Sequence, residues 1–131
     1  MKPKQLLRVV RLRRGTLKSS EFTLRPGEKG LSLFARTDEP SPEEVVSAIR
    51  AAGKQGDLAA AVIDARQIRS LGLILRRTPG ATPSAEVNAI HYEGRLPLWR
   101  RLLLYLSGSR TQEYFNERVS PQLCSMARVL E

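Results

Sequence analysis

The sequence contains a single cysteine and a single histidine among its 131 residues. One cysteine cannot form an internal disulfide, and no cluster of Cys and His is present to bind structural zinc. We therefore expect no metal site and a reducing, cytoplasmic environment. No stretch approaches the roughly 20 apolar residues of a membrane-spanning helix, so no transmembrane segment is predicted. Aromatic residues make up only 5% of the chain, which argues against an aromatic platform for base stacking.

Acidic residues are scarce as well, because 13 Asp and Glu face 22 Lys and Arg, for a formal net charge of +9. A field of this sign favours an anionic partner: nucleic acid, an acidic protein, a phosphorylated cofactor or an anionic membrane surface. The oligomeric state stays open. The candidate anion-binding residues are basic side chains of the N-terminal segment and one later pair: Arg11, Arg13, Arg14, Lys18, Arg76 and Arg77.

The length of the chain and its 41% hydrophobic and 27% charged residues are typical of one globular domain, residues 1–131. Ser41, Pro42 and Glu44 predict the start of a helix over 42–52, with Gly53 as its C-terminal cap. We expect an α+β (or α/β) domain with a mostly antiparallel sheet of five or six strands and three or four helices. Apolar runs and alternation predict extended segments over 5–12, 22–25, 31–35, 58–63 and 86–92, and the tail over 122–130 fits a helix or a closing strand.

A second helix is predicted from Pro97, with a stripe of large apolar side chains and two arginines off the stripe. We favour a core helix that covers the sheet. The alternative is an interfacial helix, since Trp99 and Tyr105 flank the apolar residues.

Motifs for common enzyme classes are absent. The chain has no Gly-x-x-x-x-Gly-Lys phosphate loop, no Gly-x-Gly-x-x-Gly turn and no Gly-x-Ser-x-Gly elbow, which excludes kinase, GTPase and Rossmann interpretations and leaves a Ser-His-Asp triad without support. We interpret His91 as a structural hydrogen-bonding residue at a strand end, and Cys124 as a buried, inert thiol.

Arg8 stands out in the first predicted strand. Alternation places it on one face with Leu6, Val10 and Leu12, where an unpaired guanidinium would be costly. Its partner is therefore either a carboxylate of this chain, which is the commoner solution, or the phosphate of a ligand.

Three segments taken in order suggest a family: Arg8 within Leu6–Val10, Ser32 within Gly30–Phe34, and Glu86 at the start of the strand predicted over 86–92. This order resembles the Arg…Ser…Glu arrangement of the ADP-ribosyltransferase-like fold, which occurs in many small bacterial toxin domains. The resemblance implies NAD as the cofactor, with Arg8 holding its phosphate or nicotinamide ribose and Ser32 supporting the nicotinamide pocket. Glu86 would be the catalytic carboxylate, and Glu93 is the alternative. The competing hypothesis is a non-enzymatic module that binds nucleic acid or an acidic protein, with Arg8 paired internally.

Overall fold

The computed structural model describes residues 2–130 and has an α+β fold, which confirms the predicted class. Its one sheet is antiparallel throughout, with the strand order β4-β5-β2-β1-β3-β6. No helix within 2–130 is long and apolar enough to cross a bilayer. The strands are β1 Gln5–Arg11, β2 Leu31–Ala35, β3 Leu58–Asp64, β4 Ile74–Arg77, β5 His91–Arg95 and β6 Arg128–Val129.

Helices cover both faces of this sheet. The best-marked is α1, where Ser41 Oγ accepts from the Glu44 amide at 3.2 Å and the Glu44 carboxylate accepts from the Ser41 amide, so the predicted capping box is confirmed. Gly53 follows α1 at a φ of +116°, a left-handed conformation that favours glycine. The helical segments are a 3-10 turn Ser19–Phe22, α1 Pro42–Ala51, α2 Ala65–Ser70, α3 Ala85–Ala89, α4 Leu98–Leu106, α5 Thr111–Tyr114, a π-helical turn Phe115–Val119 and α6 Ser120–Met126.

The alternation in β1 divides the core between the two faces. Leu6 and Val10 pack in one apolar cluster with the C-terminal helical segments, and Leu7 and Val9 pack in a second cluster with α1. Every residue of β1 is paired with β3, from Gln5 opposite Asp64 to Arg11 opposite Leu58. Because β1 is paired with β3 along its whole length, its position in the sheet does not depend on how many residues it pairs with β2.

One predicted strand, over 22–25, is wrong, and the structure resolves the alternatives left open for the tail. The segment 22–25 is not a strand, because side chains of the C-terminal helical run take up its backbone groups: Asn116 Oδ1 accepts from the Leu24 amide at 2.7 Å, and Ser120 donates to the Phe22 carbonyl at 2.6 Å. The tail is both helix and strand, since α6 ends at Met126 and β6 then pairs with β3.

Candidate anion-binding cleft

The sheet opens between its two middle strands. β1 and β2 are paired only at Leu6 opposite Ala35 and Leu7 opposite Phe34. Continued by two residues, that register would set Val9 opposite Ser32. Instead, side chains satisfy these carbonyls: Lys54 Nζ donates to Val9 O at 2.9 Å, and Arg8 Nη1 donates to Ser32 O at 2.9 Å. Two cations therefore stand where backbone hydrogen bonds would otherwise close the sheet.

Arg8 is the central group of this opening. It is half-buried on the face that Leu6 and Val10 share, as alternation predicted, and its Nε donates to the Glu21 carbonyl at 3.0 Å. It forms no salt bridge within residues 2–130, so main-chain carbonyls, rather than the expected carboxylate, hold it. Desolvation by burial lowers the pKa of Arg8 to about 10, opposed by the charges of Glu21 and Glu28. The guanidinium thus stays protonated at neutral pH without a direct ion pair within residues 2–130.

Glu21 and Lys54 complete the wall of the opening, and the sequence analysis missed both. The Glu21 carboxylate accepts from the Arg11 amide at 2.7 Å and lies 3.4 Å from Lys54 Nζ. Burial lowers the pKa of Lys54, and the neighbouring charge of Arg8 lowers it further. Two sequence features could have pointed to these residues. Glu21 is the first acidic residue of the chain, after a segment whose charged residues are all basic, and Lys54 directly follows the helix-ending Gly53.

These groups line a cavity of about 490 Å³, which we call the Arg8 cleft. Four cations and one carboxylate border it, so the lining carries an excess of positive charge. Guanidinium and ammonium groups arranged in this way suit a phosphate-bearing ligand. The lining residues are Arg8, Arg11, Ser20, Glu21, Thr23, Arg25, Ile49, Ala52, Gly53 and Lys54.

Ser32 is oriented from the other side by His91. The hydroxyl of Ser32 hydrogen-bonds His91 Nε2, and His91 Nδ1 lies 3.1 Å from the carbonyl oxygen of Thr78. Because a carbonyl oxygen only accepts, Nδ1 carries the proton and Nε2 accepts from Ser32. His91 is buried, and desolvation lowers its pKa. This arrangement agrees with the structural role predicted for His91.

Glu86 does not lie in a strand. Ser84 Oγ accepts from the Val87 amide at 3.3 Å and caps α3, so the segment 85–89 is helical and the strand predicted over 86–92 begins only at His91. Glu86 is exposed in the first turn of α3, where a carboxylate suits the positive end of a helix, and it is not among the residues that line the cleft.

Glu93, the alternative carboxylate, lies on β5 directly opposite Ser32. It is half-buried and lines a second cavity of about 580 Å³ together with Arg76 and Arg95. The loop over 25–30 borders both cavities, because Arg25 lines the Arg8 cleft and residues 27–30 line the second cavity. Arg8, Ser32 and Glu93 therefore occupy three neighbouring strands, with the opening of the sheet between the first two. By alternation the Ser32 and Glu93 side chains lie on the face of Phe34, and the Arg8 side chain lies on the other face.

The remaining predicted anion contacts do not form one surface. Arg11 borders the cleft, whereas Arg13, Arg14 and Lys18 are exposed in the segment after β1. Arg76 and Arg77 lie on β4, at the opposite edge of the sheet from β6 and three strand positions from β1. The sheet thus separates the six basic residues into two groups.

Two further sequence expectations concern metals and the thiol. No group of His, Cys, Asp and Glu within residues 2–130 is arranged to hold a metal ion. Cys124 is half-buried rather than buried, and desolvation raises the pKa of its thiol, which keeps it protonated.

The geometry of the cleft is the basis for assigning a function, since comparison with protein-family models, with curated proteins and with solved structures finds no match to this chain.

Proposed function

We propose that this chain binds NAD in the Arg8 cleft and acts as an ADP-ribosyltransferase-like domain, of the kind found in small bacterial toxins. The observation that carries the proposal is a connection across three neighbouring strands. Arg8 of β1 donates to the Ser32 carbonyl of β2 at 2.9 Å, and Ser32 is paired with Glu93 of β5. This connection supports an Arg, Ser and Glu set in which Glu93, the alternative carboxylate, takes the place of Glu86.

The charges of the two cavities suit the parts of NAD. Arg8, Arg25 and Lys54 offer charge-assisted hydrogen bonds to the pyrophosphate in the Arg8 cleft. Arg8 arrives with its guanidinium already held by two carbonyls, so little side-chain entropy is lost on binding. The nicotinamide ribose would then pass the loop over 25–30, which borders both cavities, to reach Glu93 in the second cavity.

Glu93 would act when the bond between the nicotinamide nitrogen and the ribose carbon breaks. The electron pair leaves with nicotinamide, and positive charge develops on the ribose ring. A carboxylate beside that ring stabilises the transition state electrostatically. A nucleophile of the target, or water, then forms the new bond to the ribose carbon and loses its proton. We propose a cytoplasmic setting for this reaction, in keeping with the single cysteine of the chain.

The test is isothermal titration calorimetry of the protein with NAD. We expect saturable binding that Arg8→Ala weakens about tenfold to a hundredfold, the value of one charge-assisted hydrogen bond at 1.5–3 kcal/mol. Arg8 also joins β1 to the segment around Glu21, so Arg8→Ala could weaken binding by disturbing the fold. A second variant, Arg25→Ala, avoids this ambiguity. Arg25 is exposed, so its loss weakens binding without removing a structural contact of the sheet.

The matched control is Arg128→Ala, which removes an exposed arginine from β6, two strand positions from β1. Binding equal to that of the unmodified chain is expected. Absence of saturable binding at millimolar NAD by the folded protein would overturn the proposal. The competing function is then a non-enzymatic module, whose affinity for nucleic acid falls steeply with salt.

A further inference from the structure

Helix α4 presents its apolar side chains to solvent, opposite to the core helix expected from the sequence. No residue of α4 is buried. At 100° per residue these side chains form an arc of roughly 160° along the whole helix. The exposed fractions are 70% for Leu98, 60% for Trp99, 55% for Leu102, 55% for Leu103, 77% for Tyr105 and 71% for Leu106.

The polar residues of α4 account for this orientation. Arg100 Nη2 donates to the Tyr114 hydroxyl at 2.8 Å, and its guanidinium lies over the rings of both Trp99 and Tyr114. Leu104 packs against the core from the same side, and Arg101 is half-buried. Because this narrow side anchors the helix to the body of the domain, the wide apolar side is left exposed, with no element of residues 2–130 covering it.

The charges around α4 indicate what covers that side. Between Glu93 and Glu113 the sequence has no acidic residue, and it has four arginines, at 95, 100, 101 and 110. Two copies of this chain that met through α4 would bring these cations together, which opposes a dimer. An exposed apolar helix with aromatic rings among its leucines, in a stretch of sequence whose only charged residues are arginines, matches the headgroup region of an anionic bilayer.

We infer that α4 is a peripheral membrane anchor that lies flat on an anionic bilayer. The leucines and Trp99 enter the boundary between headgroups and acyl chains. Arg95 and Arg110, on either side of α4 in the sequence, contact lipid phosphates, while Arg100 and Arg101 hold the helix on the domain. At nine residues the helix is far too short to span, so the contact is reversible. This inference is independent of NAD binding, because none of the residues that line the Arg8 cleft belongs to α4.

The sequence offers a direct probe, since Trp99 is the single tryptophan of the chain. We expect its emission to move to shorter wavelength, and the protein to co-sediment, with vesicles of phosphatidylglycerol and phosphatidylcholine. Vesicles of phosphatidylcholine alone should bind at least about tenfold more weakly, because the attraction between the arginines and anionic lipid is lost. Brominated acyl chains should quench Trp99 only in the anionic vesicles.

The test variant is Leu102→Glu/Leu106→Glu, which should weaken vesicle binding more than about a hundredfold, since each buried leucine contributes about tenfold or more. The matched control, Gln122→Glu/Ser125→Glu, adds the same charge at exposed positions of α6 and should keep most of the binding. An unchanged Trp99 spectrum with anionic vesicles overturns the inference. A dimer in light scattering, with Trp99 shielded in the absence of lipid, also overturns the inference, because a second copy then covers α4. Binding of α4 to an acidic protein in the absence of lipid would overturn it as well.

Discussion

At the scale of single residues, Arg8 shows what a buried charge does to a fold. Its position among apolar side chains in β1 follows from alternation alone, and so does its need for a partner. The nature of the partner does not follow. Two main-chain carbonyls accept from the guanidinium, and Glu21 and Glu28 act on its charge without a direct ion pair. The anionic ligand that we propose requires such a guanidinium, since a direct ion pair would compete with the ligand for it.

His91 gives a prediction about pH at the same scale. Burial lowers the pKa of His91 below its ordinary value of 6.5, so the folded state favours the neutral ring. The unfolded chain binds the proton first as the pH falls. The stabilisation is therefore complete above about pH 6.5 and is lost as the pH drops from there toward the folded pKa. Denaturant unfolding between about pH 5 and 8 measures this decline.

The control is His91→Phe, which removes the titrating ring but keeps a planar side chain beside Phe34. We expect the variant to be less stable by about 1–3 kcal/mol at neutral pH, since Ser32 and the Thr78 carbonyl lose their partner. Its stability should fall less between pH 7 and 5.5 than that of the unmodified chain. Equal slopes would show that other groups cause the decline.

At the scale of elements, the sequence predicted a helix correctly where all of its capping residues lie within one turn. Helix α1 was predicted correctly because Ser41 and Glu44 cap each other within one turn and Pro42 occupies the first helical position. The segment over 85–89 also carries a cap, since Ser84 accepts from Val87, but its alternating apolar residues were assigned to a strand. Five residues contain too few turns for periodicity to decide between the two.

The error at α3 determines which carboxylate to test. We expect Glu93→Gln to reduce NAD cleavage or transfer about a hundredfold to a thousandfold while NAD binding changes little, because the carboxylate acts on charge that develops in the transition state. Glu86→Gln is the matched control on α3, and it should retain full activity. Radiolabelled NAD, followed for release of nicotinamide, measures both. Loss of activity in Glu86→Gln alone would return the role to the carboxylate first chosen from the sequence.

At the scale of the whole molecule, positive charge is the dominant feature. The chain has a formal net charge of +9, and residues 2–130 contain one salt bridge, between Lys54 and Glu21. Repulsion among the Lys and Arg side chains is therefore stronger in the compact folded state than in the extended unfolded chain. We expect sodium chloride, raised from about 20 to 200 mM, to increase the free energy of unfolding by on the order of 1 kcal/mol.

Urea unfolding at the two salt concentrations measures this change, and Arg13→Gln/Arg14→Gln is its comparison. Both arginines are exposed, and the two substitutions together lower the net charge by two. The double variant should gain less from salt than the unmodified chain. A decrease in stability with salt would instead mean that favourable ion pairs outweigh repulsion.

Local patterns in the sequence were enough to predict the fold class, the capped helix α1, the strands β1 and β2, and the placement of Arg8 on an apolar face. Each of these depends on neighbours within a few residues or on a simple period. The opening between β1 and β2, the pairing of Ser32 with Glu93, and the outward direction of α4 depend instead on contacts between distant segments. A period identifies the residues that share a face, but what that face contacts depends on segments far away in the chain.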